Sequence, residues 1–378
     1  MNGLTWRNGF LVFGGLIVAV FLIGGCAPRA RMPIPTLGTP EHHTDSGMKL
    51  LEQGKLVDAE REFELAMELD CCYAPAYRGL AIVVGYRGES KAALRYMTKA
   101  EELAEGKQEK AMAHVGFMRL YTQQNGEGWL ERVENCFRDA MKTLRDLPEM
   151  PDPYYHMGIA YKEAFRFSDA AGAFKKVLEI NKTLMSEADH QLTVVQKIGR
   201  AMPTTPIGKR IALLEKVRRI DVAALFIREL KLDRVYEGIR GPGTSEAPMP
   251  PDVKDHPLRT DVQKVIALGI KGLDPFPDGT FAPDEYILRA SYAMMIEDII
   301  SSFTNDTSLK EKYIGSVSPF ADVRNDVPYF NAVMVCSIRG IIEAKGGMKQ
   351  SIFGPMDSVS GAEAVLAIRK LKEDLRLF

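Results

Sequence analysis

Asp252–Asp298 reads DVKDHPLRTDVQKVIALGIKGLDPFPDGTFAPDEYILRASYAMMIED, and Phe320–Arg369 reads FADVRNDVPYFNAVMVCSIRGIIEAKGGMKQSIFGPMDSVSGAEAVLAIR. Both run in the same order: an acidic-aliphatic opening, a short apolar helix, a Gly-rich turn, Phe, Pro, then an Ala-rich helix. In the first copy Val262, Val265, Ile266 and Leu268 form an apolar stripe at helical spacing, and Gly269 and Gly272 stop that helix. In Pro277-Asp278-Gly279-Thr280-Phe281, Gly279 supplies a residue tolerant of positive φ and Phe281 a side chain that anchors the turn in a core.

A third, weaker copy precedes these two. Val217-Arg218-Arg219-Ile220-Asp221 opens the helical stretch VAALFIRELKL as Ile287-Leu288-Arg289-Ala290-Ser291 and Val359-Ser360-Gly361-Ala362-Glu363 open theirs. Asp189–Arg200 stands where its first helix belongs. The order, the PDGTF turn and the arginine-bearing signature resemble the S-layer homology (SLH) module. The resemblance implies modules at 189–237, 252–302 and 316–375, with 238–251 a Gly/Pro-rich linker, packed as a pseudo-threefold body whose grooves hold wall glycan. It further implies glycan contacts at Arg219, Asp221, Asp252, Arg289, Asp322 and Glu363. A planar guanidinium suits a carboxylate-bearing sugar because it pairs with it through two parallel hydrogen bonds. The sequence departs from the family at Gly361, which replaces the third signature arginine, at Ser291 and at Leu258.

Upstream lies a second repeat. Gly54, Ala59, Phe63 and Ala66 are each matched 34 residues on by Gly88, Ala93, Met97 and Ala100, and Gly47 by Ala81. Two helices approach closely only where Gly or Ala sits at the crossing, and a bulky side chain fills the wedge beside it. Ala111–Leu144 forms a looser pair, and Tyr154, Gly158, Tyr161, Ala170 and Phe174 mark another. The period resembles the tetratricopeptide repeat (TPR), about four of which are expected over 41–185. Such an α-solenoid implies a groove for a protein partner. Tyr77, Tyr154 and Tyr161 at helical spacing are expected in its core.

The N-terminus reads as an export signal over 1–25, an apolar run from Phe10 to Ile23 with Arg7 its only preceding charge. Ile23-Gly24-Gly25-Cys26 resembles a bacterial lipobox, which implies lipidation at Cys26 and a membrane anchor. Ala27 after it resembles outer-membrane lipoproteins, and the Pro-rich stretch 26–40 reads as a tether. The other cysteines, Cys71, Cys72, Cys136 and Cys336, have no metal-binding spacing and are expected as small apolar residues, a Cys71–Cys136 or Cys72–Cys136 bridge remaining open.

A net charge of −1 excludes a generic nucleic-acid binder. No catalytic, metal or cofactor-binding motif occurs, and almost every residue already belongs to a repeat, a module or a connector. The expected protein is all-α and non-catalytic: an envelope lipoprotein held to cell-wall polysaccharide, peptidoglycan or S-layer, recruiting an envelope protein through its repeats. The rival reading is an assembly scaffold of a secretion or polysaccharide-export complex.

Overall fold

A computed structural model describes residues 38–240, 247–345 and 351–377. The export signal, Cys26 and most of the tether lie outside the described residues. Those that are described form helices and no named strand, and only isolated β-bridges occur among them.

The first half is a solenoid-like stack of consecutive helix pairs: α1 (Pro40–Glu52) with α2 (Leu56–Leu69), α3 (Ala74–Tyr86) with α4 (Ser90–Leu103), α5 (Gly106–Gln124) with α6 (Trp129–Thr143), and α7 (Asp152–Glu163) with α8 (Phe167–Ile180). Thr39 starts the stack, its side chain accepting from the His42 N–H, with Pro40 in the first turn. The small residues do what their spacing predicts. A Cβ on Gly47 or Gly79 would fall 2.7 or 2.2 Å from the ring of the fully buried Phe63, which is wedged between α1 and α3. Met97 fills the same role against Gly116 and Phe174 against Gly158. Truncating such a wedge typically costs about 3–5 kcal/mol. Tyr77, Tyr154 and Tyr161 pack against these cores half-buried.

α9 (Met185–Ala201) joins the halves. It packs on α8 on one side and, through Ile198 and Ala201, enters the second core on the other. That core is one continuous cluster around α10 (Pro206–Ala212), α11 (Arg219–Ala224), α12 (Leu232–Arg240), α13 (Arg259–Leu268), α14 (Arg289–Thr304), α15 (Phe330–Ile338) and α16 (Gly361–Asp374). α15 lies against α14, α13 against α11, and α9 against α16, so each first helix covers a second helix from a neighbouring segment. At the centre Phe226 stacks on Tyr292 at 6.0 Å, and the Tyr292 hydroxyl donates to the Ala364 carbonyl at 3.0 Å.

Three details differ from the sequence reading. The helix opened by Arg219 changes to a π turn at Leu225–Glu229. α12 runs to Arg240, into the stretch expected as linker. Cys71, Cys72, Cys136 and Cys336 form no disulfide among the described residues, and of these only Cys336 is fully buried while Cys72 is exposed.

Candidate functional site

Three backbone bonds close a ring at the heart of the second half. The Val217 N–H donates to Val359 O at 2.9 Å, Val359 N–H to Ile287 O at 2.9 Å, and Ile287 N–H to Val217 O at 3.0 Å. All three side chains are buried, and each residue lies two positions before the start of a signature helix. The ring is a pseudo-threefold axis made of main chain. Because it points each helix start at the next segment, the N–H of Arg219 reaches Glu285 O, that of Arg289 reaches Asp357 O, and that of Gly361 reaches Leu214 O.

The arginines follow the same direction. Arg219 leaves α11 and enters the turn before α14, where Nε donates to Phe281 O at 2.8 Å, Nη1 to Gly272 O at 2.7 Å and Nη2 to Asp274 O at 3.0 Å. Its guanidinium lies over the rings of Phe281 at 4.8 Å and Phe276 at 5.0 Å. Asp252 holds the same turn from the other side, accepting from the N–H groups of Phe281 and Ala282. Gly279 adopts φ +83°, and its N–H donates to Phe276 O, which closes the turn. One loop is thus clamped by an anion from its own segment and a cation from the preceding one. Hydrogen bonds to charged groups typically contribute about 1.5–3 kcal/mol each.

Arg289 repeats the arrangement one segment on. Nε donates to Phe353 O at 2.7 Å and Nη2 to Glu343 O at 2.8 Å, and the guanidinium lies 4.7 Å from the centre of the Phe353 ring. Asp322 accepts from the N–H groups of Phe353 and Gly354. Burial lowers the pKa of both arginines, Asp357 and Asp322 opposing it at Arg289 and Glu285 foremost at Arg219.

At the third position the clamp is absent for a steric reason. A Cβ on Gly361 would sit 1.7 Å from the Ile211 carbonyl oxygen, because the short α10 connection packs directly on the start of α16. There is no turn left for an arginine to hold. Asp221, which this missing arginine would face, is taken over by Arg218, whose Nε lies 3.1 Å from Oδ2. Glu363 instead pairs with Arg289. The sequence placed each arginine and acid within one signature, whereas the structure joins them between neighbouring segments.

Beside the Arg219 clamp opens a cavity of about 460 Å³. Phe276 and Tyr286, 41% and 53% exposed, stand at its edge with Arg219 on its wall. Lys216 lies over the Tyr286 ring at 5.7 Å. Deeper in, Lys271 and Lys310 face Asp298 at 3.8 and 2.7 Å. Burial raises the pKa of Glu297 there despite its hydrogen bond with Asn331. Exposed rings next to cations suit a ligand with both apolar faces and anionic groups. Of the predicted residues only Arg219 lines this cavity. Asp252, Gly279, Phe281, Arg289, Asp322 and Glu363 build the turns around the axis, and Asp221 is engaged by Arg218. Lys271, Phe276 and Tyr286 were not read from sequence, since single surface residues carry no periodic signal.

Residues 251–293 match the S-layer homology domain. The matched segment carries Asp252, α13, the Gly279–Phe281 turn and Arg289 at the start of α14. An SLH domain is a non-catalytic binding module and places the protein in association with the cell envelope or surface. No curated protein matches the chain. The SLH segment alone does not contain the cavity, because Arg219 approaches from before it and Lys310 from after it.

Proposed function

We propose that this chain is a non-catalytic envelope lipoprotein, anchored to the membrane through Cys26 and to cell-wall polysaccharide through three SLH modules. In this reading 189–237 is the first module, with α9 as its first helix, followed by modules at 252–302 and 316–375. The observation that carries it is the Arg219 cavity, formed where the signature arginine of one module enters the turn of the next. The glycan would stack on Phe276 and Tyr286 and present its anionic groups to Lys271 and Arg219. Arg289, Asp252, Asp322 and Glu363 act one step back, holding the turns that shape the site. The third inter-module junction is closed by Gly361 against Ile211 and offers no equivalent site. The paired helices upstream form a TPR array that recruits another envelope protein.

Co-sedimentation of the full chain with purified sacculi tests this reading, using sacculi before and after removal of their attached polysaccharide. The account expects binding to the untreated sacculi and its loss after stripping. Absence of binding to either would remove the wall-anchor function and leave the scaffold of an export complex as the working alternative.

A further inference from the structure

Cys71 and Cys72 are adjacent in the turn that links α2 to α3, the junction between the first helix pair and the second. Their Sγ atoms lie 3.8 Å apart, close enough for one S–H to donate to the other sulfur. The turn is held at both residues by its own hydrogen bonds. The Cys72 N–H donates to Asp70 Oδ1 at 2.9 Å, and the Tyr77 hydroxyl donates to Cys71 O at 3.0 Å. Cys72 is exposed and Cys71 half-buried. Cys136 belongs to another helix pair, on α6, and burial raises its pKa to about 11, which keeps it in the unreactive thiol form at neutral pH.

A chain associated with the cell envelope or surface lies outside the reducing cytosol and meets disulfide oxidants there. We propose that Cys71 and Cys72 form a reversible dithiol–disulfide site, closed by exchange with a disulfide-bearing oxidant. The exposed Cys72 thiolate attacks one sulfur of the oxidant, forming a mixed disulfide and releasing the oxidant's other half as a thiolate. Cys71, deprotonated in turn, attacks the Cys72 Sγ; the Cys71–Cys72 bond forms and the second half of the oxidant leaves as a thiolate. The protons lost by the two cysteines end on the two released thiolates, and two electrons pass from the cysteines to the oxidant. Adjacent Cα atoms are about 3.8 Å apart, whereas a disulfide usually spans about 4.4–6.8 Å between Cα atoms. The closed ring is therefore strained and readily reduced, a reversible modification and not a structural staple. Because the ring includes the Cys71–Cys72 peptide, closing it pulls on the bonds to Asp70 and Tyr77 that set the junction between the two helix pairs.

The test treats the full chain with oxidised glutathione, alkylates the remaining thiols and maps the tryptic peptides by mass. Trypsin releases both cysteines in the peptide 62–78, which holds no other cysteine. In the parent this peptide is expected unalkylated and lighter than its reduced form by two hydrogen atoms. Reduced glutathione should then restore both alkylatable thiols. In Cys71→Ser, which lacks the resolving sulfur, the same peptide should keep one glutathione on Cys72. A glutathione retained on Cys72 in the parent overturns Cys71 as the resolving thiol. A cross-link to the peptide 133–138, which carries Cys136, overturns the pairing of adjacent residues. Two alkylated thiols in the parent, or a closed ring that reduced glutathione leaves intact, overturn the reversible site.

Discussion

Arg289, the first residue of α14, forms its ion pair with Glu363, three residues into the start of α16. The pair therefore ties the second segment to the third and does not brace either one internally. With its other nitrogens Arg289 holds the carbonyls of Glu343 and Phe353, so one buried side chain fixes a neighbour's turn and helix together. The equivalent acid for Arg219 is Ser291, and Arg219 is correspondingly left with carbonyl partners and a distant Glu285 at 4.0 Å. That difference leaves the Arg219 junction open as a cavity.

Gly361 is expected to be the least replaceable glycine of the C-terminal half. Gly361→Ala drives a Cβ into the Ile211 carbonyl, a backbone atom that cannot swing aside, and should cost about 3 kcal/mol or more. Gly279→Ala meets no atom within 4 Å and strains only the positive φ, about 1–2 kcal/mol. Denaturant unfolding of both variants checks the order; equal losses would mean that the α10 connection gives way.

Asp252→Ala and Asp322→Ala should act locally. The first leaves the N–H groups of Phe281 and Ala282 without their acceptor, the second those of Phe353 and Gly354, each costing about 2 kcal/mol. Amide hydrogen exchange should accelerate at the named pair in each variant and not at the other. Simultaneous acceleration at both turns would contradict independent clamps.

Glu229 predicts an acid sensitivity. Burial works to raise its pKa, but hydrogen bonds from the side chains and N–H groups of Thr205 and Thr204 outweigh it and hold the pKa below 4.5. A depressed carboxyl pKa contributes stability that is present above the unfolded value and lost as pH falls through the folded one. The melting temperature of the parent should thus fall towards that of Glu229→Gln as pH drops below 4.5. A gap between them that is constant with pH would show that the carboxylate charge contributes nothing.

The thiols should separate by reactivity. Burial raises the Cys136 pKa to about 11 and pushes that of Cys336 higher still, whereas Cys72 is exposed. Iodoacetamide with mass-spectrometric mapping should label Cys72 early, and Cys336 only on unfolding. Early labelling of Cys336 in the native chain would contradict its place in the core.

The helical pairs were legible because a small residue against Phe63 or Phe174 imposes a fixed spacing on the chain. The PDGTF turn was legible because Gly279 and Phe281 have local jobs in backbone geometry and anchoring. What stayed hidden depends on residues far apart in sequence. Nothing in the run from Val217 to Asp221 says that Arg219 bonds to Gly272 and Asp274, or that Arg218 takes Asp221 once Gly361 has lost its side chain. Lys271 and Tyr286 face a cavity that exists only when two segments meet.

The most direct test of the wall-anchor account is sacculus co-sedimentation by Lys271→Ala/Tyr286→Ala, whose side chains line the Arg219 cavity without holding either turn. The account predicts a parent-like melting temperature and a loss of binding of about tenfold or more. Undiminished sedimentation by the folded variant would contradict the cavity as the place where this chain meets the wall.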